Sequence, residues 1–221
     1  MNTAGKIRVL LADDHRIMCD GLQLVLERHS DLEVVGVAGN GRQAVAMARE
    51  LKPDVVVMDV AMPELNGIEA TRQIVSENPD SKVVALSMYS DKRSVNGMLA
   101  SGATGYLLKD GAAEELARAI RTVVANRVFL SAEVASLVVE EYKHHLVSDS
   151  KVVKTSLSPR EQEVLQLLAE GKSPRFVADR LHIGVKTVES HRRRIMDKLD
   201  LHSVAELTKY AVREGITSLE Q

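Results

Sequence analysis

Three carboxylates, one hydroxyl and one ammonium fall at the ends of short apolar runs in the first half of the sequence. Asp13 and Asp14 follow the run Ile7–Ala12, Asp59 closes Asp54–Asp59, Ser87 closes Lys82–Ser87 and Lys109 closes Thr104–Lys109. If these runs are parallel strands, all five side chains share one sheet edge. Three carboxylates brought together repel one another, and a divalent cation would neutralise them. Ligands that are all oxygen favour magnesium, which keeps waters and accepts a phosphoryl oxygen. A carboxylate beside such a cation and a lysine can attack a phosphorus centre and form an acyl phosphate. The lysine and the hydroxyl would then hold the new phosphoryl oxygens.

The elements that must position these groups are legible around them. A fifth β-rich run, Glu33–Ala38, joins the four above, and helical patterns such as Ala44, Val45, Ala48 and Leu51 separate the runs. Turn signals punctuate the alternation, among them Gly39-Asn40-Gly41, Lys52-Pro53-Asp54 and Asn78-Pro79-Asp80. Strands alternating with helices imply right-handed crossovers and a parallel sheet covered on both faces. The run Val55-Val56-Val57-Met58 reads as a strand buried on both sides. The expected fold class is α/β, a five-stranded doubly wound parallel sheet, with ligands bound beyond the carboxyl ends of its strands.

A second, smaller all-α domain follows. Residues 1–125 hold 14 basic and 17 acidic side chains, and residues 156–221 hold 11 and 10. The sequence therefore divides into a domain over 1–125, a linker with a helix over 126–155, and a helical domain over 156–221. Within the middle segment, Ser131 to His145 is patterned as a helix and the polar stretch Ser148–Ser156 as a linker. Ser158-Pro159-Arg160-Glu161 is a capping box with proline at the first helical position. Helices are expected from there to Gly171, from Ser173 to His182, from Val185 to Leu199 and from Ser203 to Glu214.

The third of these helices carries a second chemistry. Val188, Ile195 and Leu199 fall on one face, while Lys186, Glu189, Ser190, Arg193 and Arg194 face the other way, with Thr187 beside them. From Lys186 to Lys198 there are 5 basic and 2 acidic residues. A helix with a buried stripe and a basic outer face, preceded by a helix and a short turn, fits helix-turn-helix binding in the major groove of double-stranded DNA. The basic groups would supply salt-dependent affinity. Glu189 repels phosphate, but it can accept from cytosine N4 and so read sequence.

Composition bounds the remaining possibilities. The 221 residues are 45% hydrophobic and 27% charged, with a net charge of −2, so a real core is available and bulk charge advertises no partner. The single cysteine, Cys19, excludes an internal disulfide framework and a Cys-rich zinc site. It suits a reducing compartment. No apolar run approaches the ~20 residues of a membrane span, and the amino end lacks a signal-peptide core, so a soluble cytoplasmic protein without membrane contact is expected.

Taken as a set, several motifs match a known family. Ala12-Asp13-Asp14-His15, Met58-Asp59-Val60-Ala61-Met62-Pro63, Leu86-Ser87 and Gly105-Tyr106-Leu107-Leu108-Lys109 resemble the receiver domain of bacterial response regulators, which is flavodoxin-like. The resemblance covers about residues 6–123. It implies that Asp59 accepts a phosphoryl group from a sensor histidine kinase, and that Asp13, Asp14, Asp59 and the Ala61 carbonyl bind Mg2+. It further implies that Ser87 and Lys109 serve the transfer, and that Ser87 and Tyr106 act as the switch. Receivers often carry a cis proline after this lysine; here Asp110 follows, and a cis peptide without proline costs roughly 2.5–4 kcal/mol. The resemblance also implies that Ala61 and Tyr89, two residues beyond Asp59 and Ser87 respectively, flank the path of the hydrolytic water; Ala61 has no polar group to orient one, so a long-lived acyl phosphate is expected.

The segments Leu157–Glu161, Leu167–Ser173 and Thr187–Leu199 resemble the LuxR-type helix-turn-helix, so the whole chain is similar to response regulators of the NarL/FixJ class. That resemblance implies promoter DNA as a partner and a homodimer when phosphorylated or DNA-bound, paired through the last helix. Two departures are Phe176 and Gly184, where the family usually has Glu and Ser; an exposed and an interhelical place are both open to Phe176. The chain is expected to transfer a phosphoryl group to itself without turning over an external metabolite, so it is not an enzyme in that sense.

Two rival readings use other features. Gly39-Asn40-Gly41-Arg42-Gln43-Ala44 matches the G-x-G-x-x-A fingerprint of nicotinamide-dependent enzymes, but on the second strand instead of the first, and it leaves the carboxylates unexplained. Alternatively the receiver is a phosphorylation-independent docking surface joined to a DNA-binding module.

Overall fold

The computed structural model describes residues 5–88, 91–147 and 157–217. The chain divides into two compact units, Met1–Asp149 and Ser150–Gln221.

In the first unit β1 (Ile7–Ala12), β2 (Leu32–Ala38), β3 (Val55–Asp59), β4 (Lys82–Ser87) and β5 (Gly105–Leu108) alternate with α1 (Arg16–Glu27), α2 (Gly41–Leu51), α3 (Gly67–Glu77), α4 (Lys92–Ala100) and α5 (Ala112–Val124). All strand pairs are parallel, in the order β2-β1-β3-β4-β5. The order reverses between β1 and β3, which opens a crevice at their carboxyl ends. Strand alternation feeds two cores. Leu10, Ala12, Val56 and Met58 pack on the face that carries Ala44, Ile74 and Met98, whereas Val9, Leu11, Val55 and Val57 meet Leu22, Leu116 and Ile120 on the other.

The expectation of five strands is corrected to six. Phe129–Leu130 forms β6, parallel to β5 with Gly105 opposite Phe129 and Tyr106 opposite Leu130. The Ser131 N–H donates to the Tyr106 carbonyl at 3.0 Å. Two residues are too few to display the period-two alternation that marks a strand in sequence. The segment after 125, expected as a linker, thus begins by extending the sheet. Its helix, α6 (Ala132–Val147), buries Val134 completely and joins α4 through Asn96 Nδ2, which donates to Glu141 Oε2 at 2.7 Å. The linker proposed over Ser148–Ser156 lies outside the described residues.

The second unit contains α7 (Pro159–Ala169), α8 (Pro174–Leu181), α9 (Val185–Leu199) and α10 (Val204–Arg213). The Ser158–Glu161 capping box forms in full, with Pro159 in the first turn. Ser173 and Ser203 cap α8 and α10, accepting from the Phe176 and Glu206 N–H groups. Val164, Leu168, Val177, Leu181, Val188, Ile195, Leu207 and Ala211 make one core. A buried Glu161 reaches Lys198 at 2.7 Å, tying the start of α7 to the end of α9. Among the described residues no helix is long and apolar enough to cross a membrane.

Candidate functional site

Strand ends bring the acidic residues together as the sequence implies. Asp13 leaves the end of β1 and Asp59 ends β3, each 4% exposed, and the exposed Asp14 lies beside them. Lys109 begins a short 3-10 turn after β5 and is buried with them. Its Nζ lies 2.8 Å from Asp13 Oδ2 and 3.2 Å from Asp59 Oδ2. The Lys109–Asp110 peptide is trans.

Burial, and then the Asp13 charge, push the Asp59 carboxyl up to about 7 against the pull of Lys109. Burial works against the Lys109 ammonium, but the Asp59 charge and the Asp13 hydrogen bond outweigh it and raise its pKa. One buried ammonium, paired with Asp13 and Asp59 and with Asp14 close by, leaves an excess of oxygen donors. That donor set fits a hard divalent cation.

The loop after β3 is locked against Asp59. Asn66 caps α3 by accepting from Glu69 N–H, and Gly67 N–H donates to Val60 O at 2.9 Å. A Cβ at Gly67 would stand 2.0 Å from the Asp59 carbonyl oxygen, so only glycine lets α3 start this close. Ala61 is exposed in the same loop. Ser87 ends β4, next to β3 and β5, and is buried. Tyr106 is 0% exposed on β5: burial pushes its phenol up to about 12, with the nearby Ser87 hydroxyl pulling the other way. Tyr89, two residues beyond Ser87, lies outside the described residues.

The cluster has one further member, His15, which no sequence pattern marks. His15 precedes α1, and its Nδ1 lies 3.0 Å from Asp14 Oδ1 and 3.2 Å from Asp13 Oδ1. Asp13, Asp14, His15 and Asp59 each offer a ligand atom within 4.8 Å of the others. The signal available was adjacency: His15 directly follows the aspartate pair.

The glycine fingerprint has a structural explanation instead. Asn40 caps α2 by accepting from Gln43 N–H, and Gly39 N–H donates to Gln43 Oε1 at 3.0 Å. Gly41 is buried against the loop carrying Leu65, whose carbonyl oxygen a Cβ would meet at 2.0 Å. The backbone approached there is protein, not a pyrophosphate.

In the second unit, α9 presents Lys186, Thr187, Ser190, Arg193 and Arg194 to solvent and buries Val188 and Ile195. Lys186, Glu189, Ser190, Arg193 and Arg194 line a shallow surface groove with Val185. Glu189 is half-exposed and paired with Arg192 at 2.7 Å, one turn along. Gly184 precedes α9 without a side-chain cap, and Phe176 is 42% exposed beneath the Lys172 ammonium, 5.7 Å from its ring.

Comparison with known proteins agrees with this arrangement. Residues 9–121 match the response regulator receiver domain, and residues 155–211 match the bacterial regulatory proteins of the luxR family. The chain is similar to the oxygen regulatory protein NreC of Staphylococcus haemolyticus, 37% identical over 95% of this chain and 99% of that one. It is also similar to the transcriptional regulatory protein LiaR of Bacillus subtilis, 39% identical over 96% of this chain and 100% of that one. Among solved structures it resembles the response regulator RcsB in complex with DNA, 26% identical with a TM-score of 0.57 over 93% of this chain and 98% of that one. RcsB is also known as two dimers bound to two parallel DNAs, 27% identical to this chain with a TM-score of 0.57. The chain covers nearly the full length of each. It belongs to the two-component response regulators that join a receiver domain to a LuxR-family DNA-binding domain, a family of transcription regulators and not of nicotinamide enzymes.

Proposed function

We propose that this chain is a phosphorylation-controlled transcription regulator whose acceptor is Asp59. A phosphohistidine on a sensor kinase is the donor: an Asp59 oxygen attacks phosphorus, the P–N bond breaks, and the departing imidazole takes a proton. The observation that carries the reading is the buried triangle of Asp13, Asp59 and Lys109, with Nζ–O distances of 2.8 and 3.2 Å. Asp13, Asp14, Asp59 and the Ala61 carbonyl would hold Mg2+, which supplies neutralisation of phosphoryl charge. Lys109 then pairs with the phosphoryl group, Ser87 donates to it, and Tyr106 responds to the Ser87 movement. Tyr106 already lies inward here, so its response is a change of hydrogen bonding and packing rather than burial of an exposed ring.

On the output side, Lys186, Thr187, Ser190, Arg193 and Arg194 would meet promoter DNA, with Glu189 reading a base. Two-fold pairing of subunits, supported by the RcsB dimers on DNA, would match two half-sites. The domains are proposed as residues 1–125 and 156–221, with the segment 126–155 beginning as β6 and α6. The protein would act in the cytoplasm.

Selection of bound sequences from random DNA, with and without phosphodonor, tests the reading. Phosphorylated protein should enrich paired half-sites more strongly, and Asp59→Asn should abolish the difference. Equal enrichment throughout would favour the phosphorylation-independent docking module.

A further inference from the structure

The second unit leaves an apolar side chain among the charged residues of its basic helix. Val185 opens α9 and is 45% exposed, and it belongs neither to the core of this unit nor to the partly buried side chains packed against it. Of the exposed large apolar residues described in this unit, Phe176, Val185 and Val204, only Val185 stands on α9. It lines one surface groove with Lys186, Glu189, Ser190, Arg193 and Arg194. Residues four apart lie one above another on a helix, so Val185, Glu189 and Arg193 form a single row. Helix stability does not explain the choice. A β-branched residue is a weak helix former, and a first turn gains from an acidic residue, which α9 lacks. Gly184, just before it, carries no side chain to shield it.

We propose that Val185 is a specificity-determining residue that packs against the C5-methyl group of a thymine in the major groove. This rests on the reading of α9 as the helix that contacts DNA. Residues at the start of such a helix are those that reach base edges. Lysine and arginine in the same groove can meet phosphate oxygens or guanine acceptors. A valine can do neither, and against a donor or acceptor it would strand that group. The thymine methyl is the one apolar group that the bases present there. One turn on, Glu189 is the side chain proposed to accept from cytosine N4. Four residues of helix rise about 6 Å, so the thymine lies within about two base steps of that cytosine. One side chain reads an apolar group and the other a donor.

The test starts from the duplex that the full-length protein enriches most from random DNA. Its thymines are replaced by uracil one position at a time, which removes the methyl group and keeps the base pairing. Affinities of wild type, Val185→Ala and Arg193→Ala are measured by fluorescence anisotropy at one salt concentration. For wild type, uracil at one position should weaken binding roughly three- to fivefold, the worth of about one buried methyl group. Val185→Ala should lose a similar factor on the thymine duplex and be indifferent to that uracil. A wild type insensitive to uracil at every position would overturn the proposal. So would a uracil penalty that Val185→Ala retains in full. If Arg193→Ala left affinity for every duplex unchanged, α9 would not face DNA, and the reading of the helix would fall together with the role of the valine.

Discussion

Lys109 Nζ lies nearer to Asp13 Oδ2, at 2.8 Å, than to Oδ2 of the proposed acceptor Asp59, at 3.2 Å. The lysine therefore serves first as the internal counter-ion of a buried carboxylate. Removing one partner of a buried pair costs roughly 3–5 kcal/mol because it strands the other charge. Lys109→Met should destabilise the receiver by about that much in chelator, and millimolar magnesium should restore much of the loss. Chemical unfolding with and without magnesium checks this; equal loss in both conditions would contradict the counter-ion role.

The Asp59 carboxyl titrates near 7 in the fold against an ordinary value of 3.8. A raised carboxyl pKa contributes stability that is complete below 3.8 and disappears as pH rises through about 7. Without metal, Asp59→Asn should therefore stabilise the receiver at alkaline pH by at least about 1 kcal/mol, and the gain should vanish in acid. Hydrogen exchange of the β3 amides across this range gives the measurement. A gain that grew on acidification would reverse the sign.

Ala61 is exposed in the loop beyond Asp59 and has no group with which to orient a water. Ala61→Asn and Ala61→Asp should speed loss of the acyl phosphate several-fold. Time courses of phosphate release read this directly, and rates unchanged in both variants would remove Ala61 from the account.

On α9, Arg194→Ala should lower the slope of log affinity against log salt by about 1 and weaken all sequences alike. Glu189→Gln should change which sequences are preferred with little effect on that slope. Binding to a panel of duplexes at several salt concentrations separates the two behaviours.

The Glu161 carboxylate, whose burial would raise it, is instead held at about 2 by Lys198 and by Ser158. A depressed carboxyl pKa supplies stability above 4.5 that fades as pH falls toward 2. Glu161→Gln should cost roughly 1–2 kcal/mol at neutral pH, and the two proteins should converge in acid. Amide exchange in α7 and α9 follows it.

The candidate site is legible in the sequence largely because Asp13, Asp59, Ser87 and Lys109 stand at or just beyond the ends of apolar strands, and parallel topology sends all such ends to one edge. Helix limits in the second unit are equally legible: Ser158, Ser173 and Ser203 stand where caps must be, and the bounds Val185–Leu199 are recovered as read. Most of what the sequence hides has a common cause. Strand β6 and the close approaches at Gly41 and Gly67 are tertiary facts, set by neighbours distant in sequence. His15 escaped for a different reason. A lone histidine beside a helix start carries little information until distances are known.

The sheet has two flanks, and each carries a feature that blunts it. Strand β6 lies along the first half of β5, opposite Gly105 and Tyr106. On the opposite flank, β2 slips register against β1 between Val9 and Leu10, an irregularity that spoils a straight template. Growth of the sheet from one molecule into the next is thereby discouraged on either side.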